Sequence, residues 1–264
     1  MSQNRLKLWV GLGACVMVGA TGAAVAADAP AKAGVHVPAA AHGAMTQLAM
    51  GGEGGEAGHE AGGFEGMSAD QALAGNLLLL RGHLSVGAEL YAAGRADDAI
   101  IHYLHPSEEI YNEIAPALSA RGVTGLAGEL KALSDAVRAR KPQAEVAALQ
   151  DKVLASVAQA QPTLGTAEQA AVLAAVLETA AGEYAVAYEG GSLANAAEYQ
   201  DSRGFVWVAE AEAKAVKAFA AVAEGIAGIK KAWPDAVPAK DPAVSVAEVE
   251  AAVADLAQRC KQVK

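Results

Sequence analysis

Three observations predict an all-α fold. Apolar residues recur at helical 3,4 spacing almost everywhere after Ser68, no stretch alternates polarity as a half-buried strand would, and helix-start signatures punctuate the chain at Ser68-Ala-Asp-Gln71, Thr166-Ala-Glu-Gln169 and Ser245-Val-Ala-Glu248. About seven helices are expected, forming one large antiparallel bundle or two bundles joined near Pro162. The boundaries read as 1–27 signal peptide, 28–67 flexible arm, 68–161 first bundle, and 162–264 second bundle or continuation of the same core.

The first helix opens at Ser68 and carries the seam Leu73, Leu77, Leu80, Leu84 and Tyr91; Gly94 marks its turn. The second runs from about Ala96 to Ala120 and stops at Gly122. Pro106 complicates it, because proline lacks a backbone donor and disfavours helix at the residue before it. His105 would then cap a new helix with Pro106 and Glu108 in its first turn. A third helix holds Leu126, Leu130, Leu133 and Val137 and ends in Arg138, Arg140 and Lys141, cations that suit a helix C-terminus. The fourth starts at Pro142 and ends before Pro162. The fifth, capped at Thr166, continues to the break at Gly190-Gly191, and a long sixth, capped by Asn195, runs through Phe205, Val216, Phe219 and Ile226 towards Trp233-Pro234. The last keeps its stripe from Val246 to Val263 and includes Cys260, which reads as a small buried hydrophobe.

The N-terminus combines Arg5 and Lys7 with an acid-free apolar stretch from Leu8 to Ala24 and small residues near Ala27. That is an export signal, and it predicts a periplasmic, soluble protein. Leu12-Gly13-Ala14-Cys15 partly resembles a lipoprotein box and makes anchoring through Cys15 the minor alternative. No later stretch is read as reaching the roughly 20 apolar residues that span a bilayer. Removing residues 1–27 takes away two basic residues and no acid, leaving 18 Lys and Arg against 30 Asp and Glu. A surface that acidic repels phosphate backbones, so nucleic acid is excluded as a partner. One cysteine would remain, which rules out an intramolecular disulfide.

All six histidines lie within the first 105 residues. His83 and His105 are each eleven positions from Gly94, so in a hairpin pivoting there both sit about 16 Å from the turn, at one level. His102 lies one turn lower, and Glu108 or Glu109 just above. Together they make a nitrogen and oxygen set for a borderline transition metal. The projection of an unbroken second helix weighs the other way. It gathers His102, His105, Glu109 and Glu113 opposite Ile100, Leu104, Tyr111, Ile114 and Leu118, the pattern of a solvated face with structural histidines. The arm adds His36, His42, His59 and three methionines beside glutamates, a metal-collecting tail or a plain linker. Haem on a histidine pair stays open, although no Cys-x-x-Cys-His motif exists. No zincin motif, P-loop, dinucleotide fingerprint or Gly-x-Ser-x-Gly elbow is present, so no catalytic role is expected.

The stretch from Glu183-Tyr184 through Gly190-Gly191, Asn195, Glu198-Tyr199 and Gly204-Phe205-Val206 resembles the extracytoplasmic helical region of Ftr-type bacterial iron permeases, over about residues 178–217. The permease's Arg-Glu-x-x-Glu motif and its membrane helices are missing from this chain. His105-Pro-Ser-Glu108 more faintly resembles the imelysin-like His-x-x-Glu motif, with Tyr103 where that motif has glycine. These resemblances imply an iron-handling protein working beside a membrane metal permease or its accessory proteins. Glu198 and Asp201, three apart on one face of the sixth helix, read as secondary ligands or as a cap and a solvated charge, and His59 of the arm is a third secondary candidate.

The reading that emerges is a periplasmic, non-enzymatic protein binding a transition metal, iron ranked ahead of copper and zinc, through His83, His102, His105 and Glu108 or Glu109. Its alternative is a helical interaction module with structural histidines and no metal, whose sixth helix docks a membrane partner through Phe205, Trp207 and Phe219.

Overall fold

The computed structural model describes residues 61–263, where helices and turns account for the regular structure and no strand occurs among the described residues. The signal segment and the arm up to residue 60, with its His59, lie outside the described residues, whereas the last seven positions assigned to the arm, 61–67, are described and bury Phe64 against the core. After a single 3-10 turn at Ala61–Phe64, the chain forms α1 (Ala69–Ala92), α2 (Ala96–His105), α3 (Tyr111–Ala120), α4 (Leu126–Arg138), α5 (Gln143–Ala160), α6 (Thr166–Ala187), α7 (Ala196–Ala215), α8 (Ala220–Ile229) and α9 (Val246–Lys261).

The helix starts follow local chemistry. Ser68 accepts the Gln71 N–H while the Gln71 side chain accepts the Ser68 N–H at 2.9 Å, and Ser245 and Glu248 repeat that reciprocal box at α9. At α6 the expected cap is off by one residue: Gly165, not Thr166, is the N-cap, and the Glu168 carboxylate accepts the Gly165 N–H at 2.7 Å. Gly94 turns α1 into α2 with φ 76°, a left-handed conformation that glycine adopts without steric cost. There Gly94 and Arg95 donate back to Tyr91 and Leu90 at 3.0 and 2.9 Å.

Two rods depart from a regular α-helix, one at a π-turn and one at a break. Pro106 does not end the second helix: His105, at the N-cap position of the segment that Pro106 opens, is itself helical (φ −48°, ψ −46°) and makes no side-chain cap bond, and residues 106–110 form a π-turn in which the Tyr111 N–H donates to the Pro106 carbonyl. The widened turn accommodates a ring that a regular α-turn would press against the carbonyl four residues back. The sixth helix is not continuous. Val216 is extended (φ −121°, ψ 115°), a conformation that suits its β-branched side chain, and α8 folds back against α7 and α9. Burial of Phe219, Val222 and Ile226 is what that bend gains over a straight helix.

The helices from both sides of Pro162 share one hydrophobic cluster. α1 packs on α2, α6 and α7; α6 also carries α7 and α9; α4 pairs with α5 and lies against α2. Since α1 buries Leu77, Leu78, Leu79 and Leu80 in succession, it is apolar around its whole circumference there, as a central helix must be. α6 is long and apolar enough to cross a membrane, contrary to the reading that no segment after residue 27 is, and 67% of its apolar window is buried within the protein. Cys260 is buried as expected, and burial pushes its thiol up to about 11.

Two glycines set the distance between α1 and α7. A Cβ on Gly204 would stand 2.3 Å from the Gly82 carbonyl oxygen, and one on Gly82 would stand 2.5 Å from the Phe205 ring. Only the absence of side chains at both positions lets these backbones touch. This contact positions the polar cluster described next.

Candidate metal centre

His83 follows Gly82 on α1, and Asp201 stands one helical turn before Gly204 on α7, so the close crossing brings them together. The His83 Nδ1 lies 2.6 Å from Asp201 Oδ1. α2, packed on the other side, adds His102, whose Nδ1 lies 2.7 Å from the same oxygen. His105, at the end of α2, places its Nδ1 3.4 Å from Asp201 Oδ2, beyond a good hydrogen bond. The imidazoles of His83 and His105, equidistant from Gly94, have ring centroids 5.2 Å apart, and that of His102 lies 6.4 and 6.3 Å from the two. Phe205 closes one side with its ring perpendicular to His83 at 5.0 Å.

The four consecutive polar residues Gln200-Asp201-Ser202-Arg203 are all buried, each with its own set of partners because successive helical residues step by about 100°. Gln200 donates to the Ala236 carbonyl at 3.1 Å, which leaves its Oε1 facing the His102 Nε2 at 2.9 Å. Ser202 donates to the Ala180 carbonyl at 2.5 Å and accepts from the Trp233 indole at 3.1 Å. Arg203 donates to the Trp233 carbonyl and, through two nitrogens, to Glu89 on α1. Thus α7 carries a polar spine whose members the core engages one by one, with Asp201 Oδ2 left without a hydrogen-bond partner.

Burial alone would raise the Asp201 carboxyl, but the charges of His83 and His102 and the ring N–H groups facing it hold it well below the usual carboxylate range. For His105, burial acts to lower the imidazole, and the Asp201 carboxylate overrides it, so the net direction is up. Both nitrogens of His102 face acceptors, so only a doubly protonated ring donates to both.

His83, His102 and Asp201 offer ligand atoms that all lie within 4.8 Å of one another, and His105 flanks them. The expectation of a solvated histidine face is overturned: His102 is 0% and His105 7% exposed, because α1, α4 and α7 enclose α2 on several sides. Asp201, read only as a secondary ligand, is the hub of the cluster and fully buried. Glu108 is exposed and does not join the cluster, so the His105-x-x-Glu108 spacing assembles no site. Glu109 is half-buried and near enough for its charge to act on His105. Glu198, buried in the first turn of α7, receives the Asn195 amide at 3.5 Å in a capping arrangement. The docking face offered by the alternative reading is also corrected, since Phe205 and Phe219 are core residues and only Trp207 is partly exposed, lying between Arg203 and Lys230 at 4.0 and 3.7 Å.

The run of four polar residues between Tyr199 and Gly204-Phe205-Val206 was the available signal for Asp201. Polar residues on every side of a helix that also carries aromatics on every side are either wet or mutually satisfied inside a core, and periodicity does not separate the two.

No curated protein and no solved structure matches this chain. A family model does match, over a longer segment than the resemblance noted at about 178–217 but including all of it. Residues 162–264, which contain α6 to α9, match the iron permease-associated 4-helix bundle domain.

Proposed function

We propose that this is a periplasmic, non-enzymatic protein that binds a transition metal, iron ahead of copper or zinc, and works beside a membrane iron permease or its accessory proteins. The observation that carries the reading is the convergence of His83, His102 and His105, from α1 and α2, on the Asp201 carboxylate of α7. A buried anion ringed by imidazoles exchanges protons for a borderline cation without bringing an uncompensated charge into the core. The matched iron permease-associated domain supports iron as the cargo, and the export signal supports the compartment.

Equilibrium titration with Fe(II), Zn(II) and Cu(II), repeated on the His102→Ala/His105→Ala double variant, tests the proposal. We expect binding that the double variant loses; equal affinity in both removes the site. A second reading rests on the fact that His83 and His102 already have satisfied hydrogen bonds within the protein, the arrangement of a structural polar core. It predicts that metal leaves the melting temperature unmoved, whereas saturation at a hundred times Kd adds about 2.7 kcal/mol if the site is real.

A further inference from the structure

The four side chains of the cluster do not have equal standing, and the difference points to where an ion would sit. Asp201 Oδ1 is fully engaged, with His83 Nδ1 at 2.6 Å and His102 Nδ1 at 2.7 Å. Two donors coordinating one ion at about 2.1 Å each would subtend only about 76° at a separation of 2.6 Å, which is hydrogen-bond spacing and not ligand spacing. His102 is held at its other nitrogen as well, by a Gln200 amide whose orientation the Ala236 carbonyl fixes.

Asp201 Oδ2 and His105 Nδ1 differ. Both are buried, neither has a hydrogen-bond partner, and they face each other across 3.4 Å. With bonds of about 2.1 Å, that separation corresponds to a ligand–ion–ligand angle of about 108°, the tetrahedral value. His105 is also the one member whose side chain reaches the surface, at 8% exposure against 0% for His83, His102 and Asp201. The π-turn begins at the next residue and carries Glu109, whose negative charge acts on His105. Turns of this kind re-aim side chains, and they occur often at functional sites.

We propose that the ion is seated at the mouth of the cluster, between His105 Nδ1 and Asp201 Oδ2, with the Glu109 carboxylate as outer ligand. His83 and His102 are then positioning residues that fix Asp201 through Oδ1 and do not touch the metal. One imidazole and two carboxylates form an oxygen-rich set that favours Fe(II), Mn(II) or Co(II) over soft Cu(I). A seat at the mouth, rather than in the closed interior, also allows the ion to be passed on. The proposal rests on the metal-binding reading above and specifies its atoms.

X-ray absorption on the full chain, with His36, His42 and His59 of the arm replaced by alanine, separates the two. Loaded anaerobically with Fe(II) or with Co(II), the protein should show one imidazole in the coordination shell, and His105→Ala should show none, with affinity reduced about 100-fold or more. Glu109→Gln should lose one oxygen ligand and keep the imidazole. Two or three imidazoles in the parent spectrum, or an unchanged imidazole count in His105→Ala, overturns this seat and leaves metal binding intact. No uptake of either ion by the parent overturns both readings at once. Should His105→Ala not fold, the parent spectrum alone decides between one imidazole and three.

Discussion

The two halves of the molecule supply opposite components of the cluster. Residues before Pro162 contribute every imidazole, on α1 and α2, while the segment matching the iron permease-associated domain contributes the carboxylate and the amide, Asp201 and Gln200 on α7. The matched bundle alone thus holds one acidic ligand without partners. What completes the His/Asp cluster is a helical hairpin laid against α7, so the proposed metal chemistry belongs to the junction of the halves and not to either one. Each perturbation below loads that junction from one side.

The largest effect should come from the carboxylate side. Asp201→Asn leaves three imidazoles facing a neutral amide, and losing one partner from a buried charged group should cost about 3–5 kcal/mol, read as a lower urea midpoint at unchanged slope. Next is the crossing itself. Gly204→Ala drives a methyl into the Gly82 carbonyl and should cost about 1–3 kcal/mol while weakening metal binding, because the helices that carry His83 and Asp201 are pushed apart. Gly128→Ala on α4, where an added Cβ meets nothing within 4 Å, should instead stabilise by about 0.5–1 kcal/mol and leave binding alone.

A smaller and graded effect is expected from pH. Asp201 is held below its usual range, so its contribution to stability is present above the ordinary carboxylate pKa of about 4 and is lost as pH falls through the lower folded value. His105 is held above its usual value, so its contribution is present below about 6.5 and is lost as pH rises through the higher folded value. The metal-free cluster should therefore stabilise most between roughly pH 4 and 6.5, as urea midpoints across pH would register. Metal binding should run the other way across that window and strengthen as protons leave the rings. The smallest effect should be Glu89→Gln, since Glu89 is 45% exposed in its bridge to Arg203 and a pair open to solvent contributes about 1 kcal/mol or less.

Much of this architecture was legible in the chain. Helical spacing predicts the all-α fold, and the reciprocal caps at Ser68 and Ser245 fall where the sequence places them. The Gly94 pivot is local chemistry, and the level placement of His83 and His105 follows from it. Asp201 was not legible as the hub, because its partners lie 99 and 118 residues away and the Gly82–Gly204 contact that unites them leaves no periodic signature. The burial of His102 was hidden for a related reason: one helix wheel shows one apolar face, whereas α2 is enclosed by α1, α4 and α7. At Pro106 the rule that proline ends a helix competes with a π-turn, and the packing of Ile110 and Ile114 beyond it favours continuity.

Crystals of the full chain grown with Co(II) and measured at the cobalt edge give the decisive test of metal binding at Asp201. An anomalous peak is expected within about 2.2 Å of an Asp201 carboxylate oxygen, in contact with the histidine cluster. Cobalt bound only at surface carboxylates, with the Asp201 environment free of any peak at full occupancy elsewhere, would contradict it.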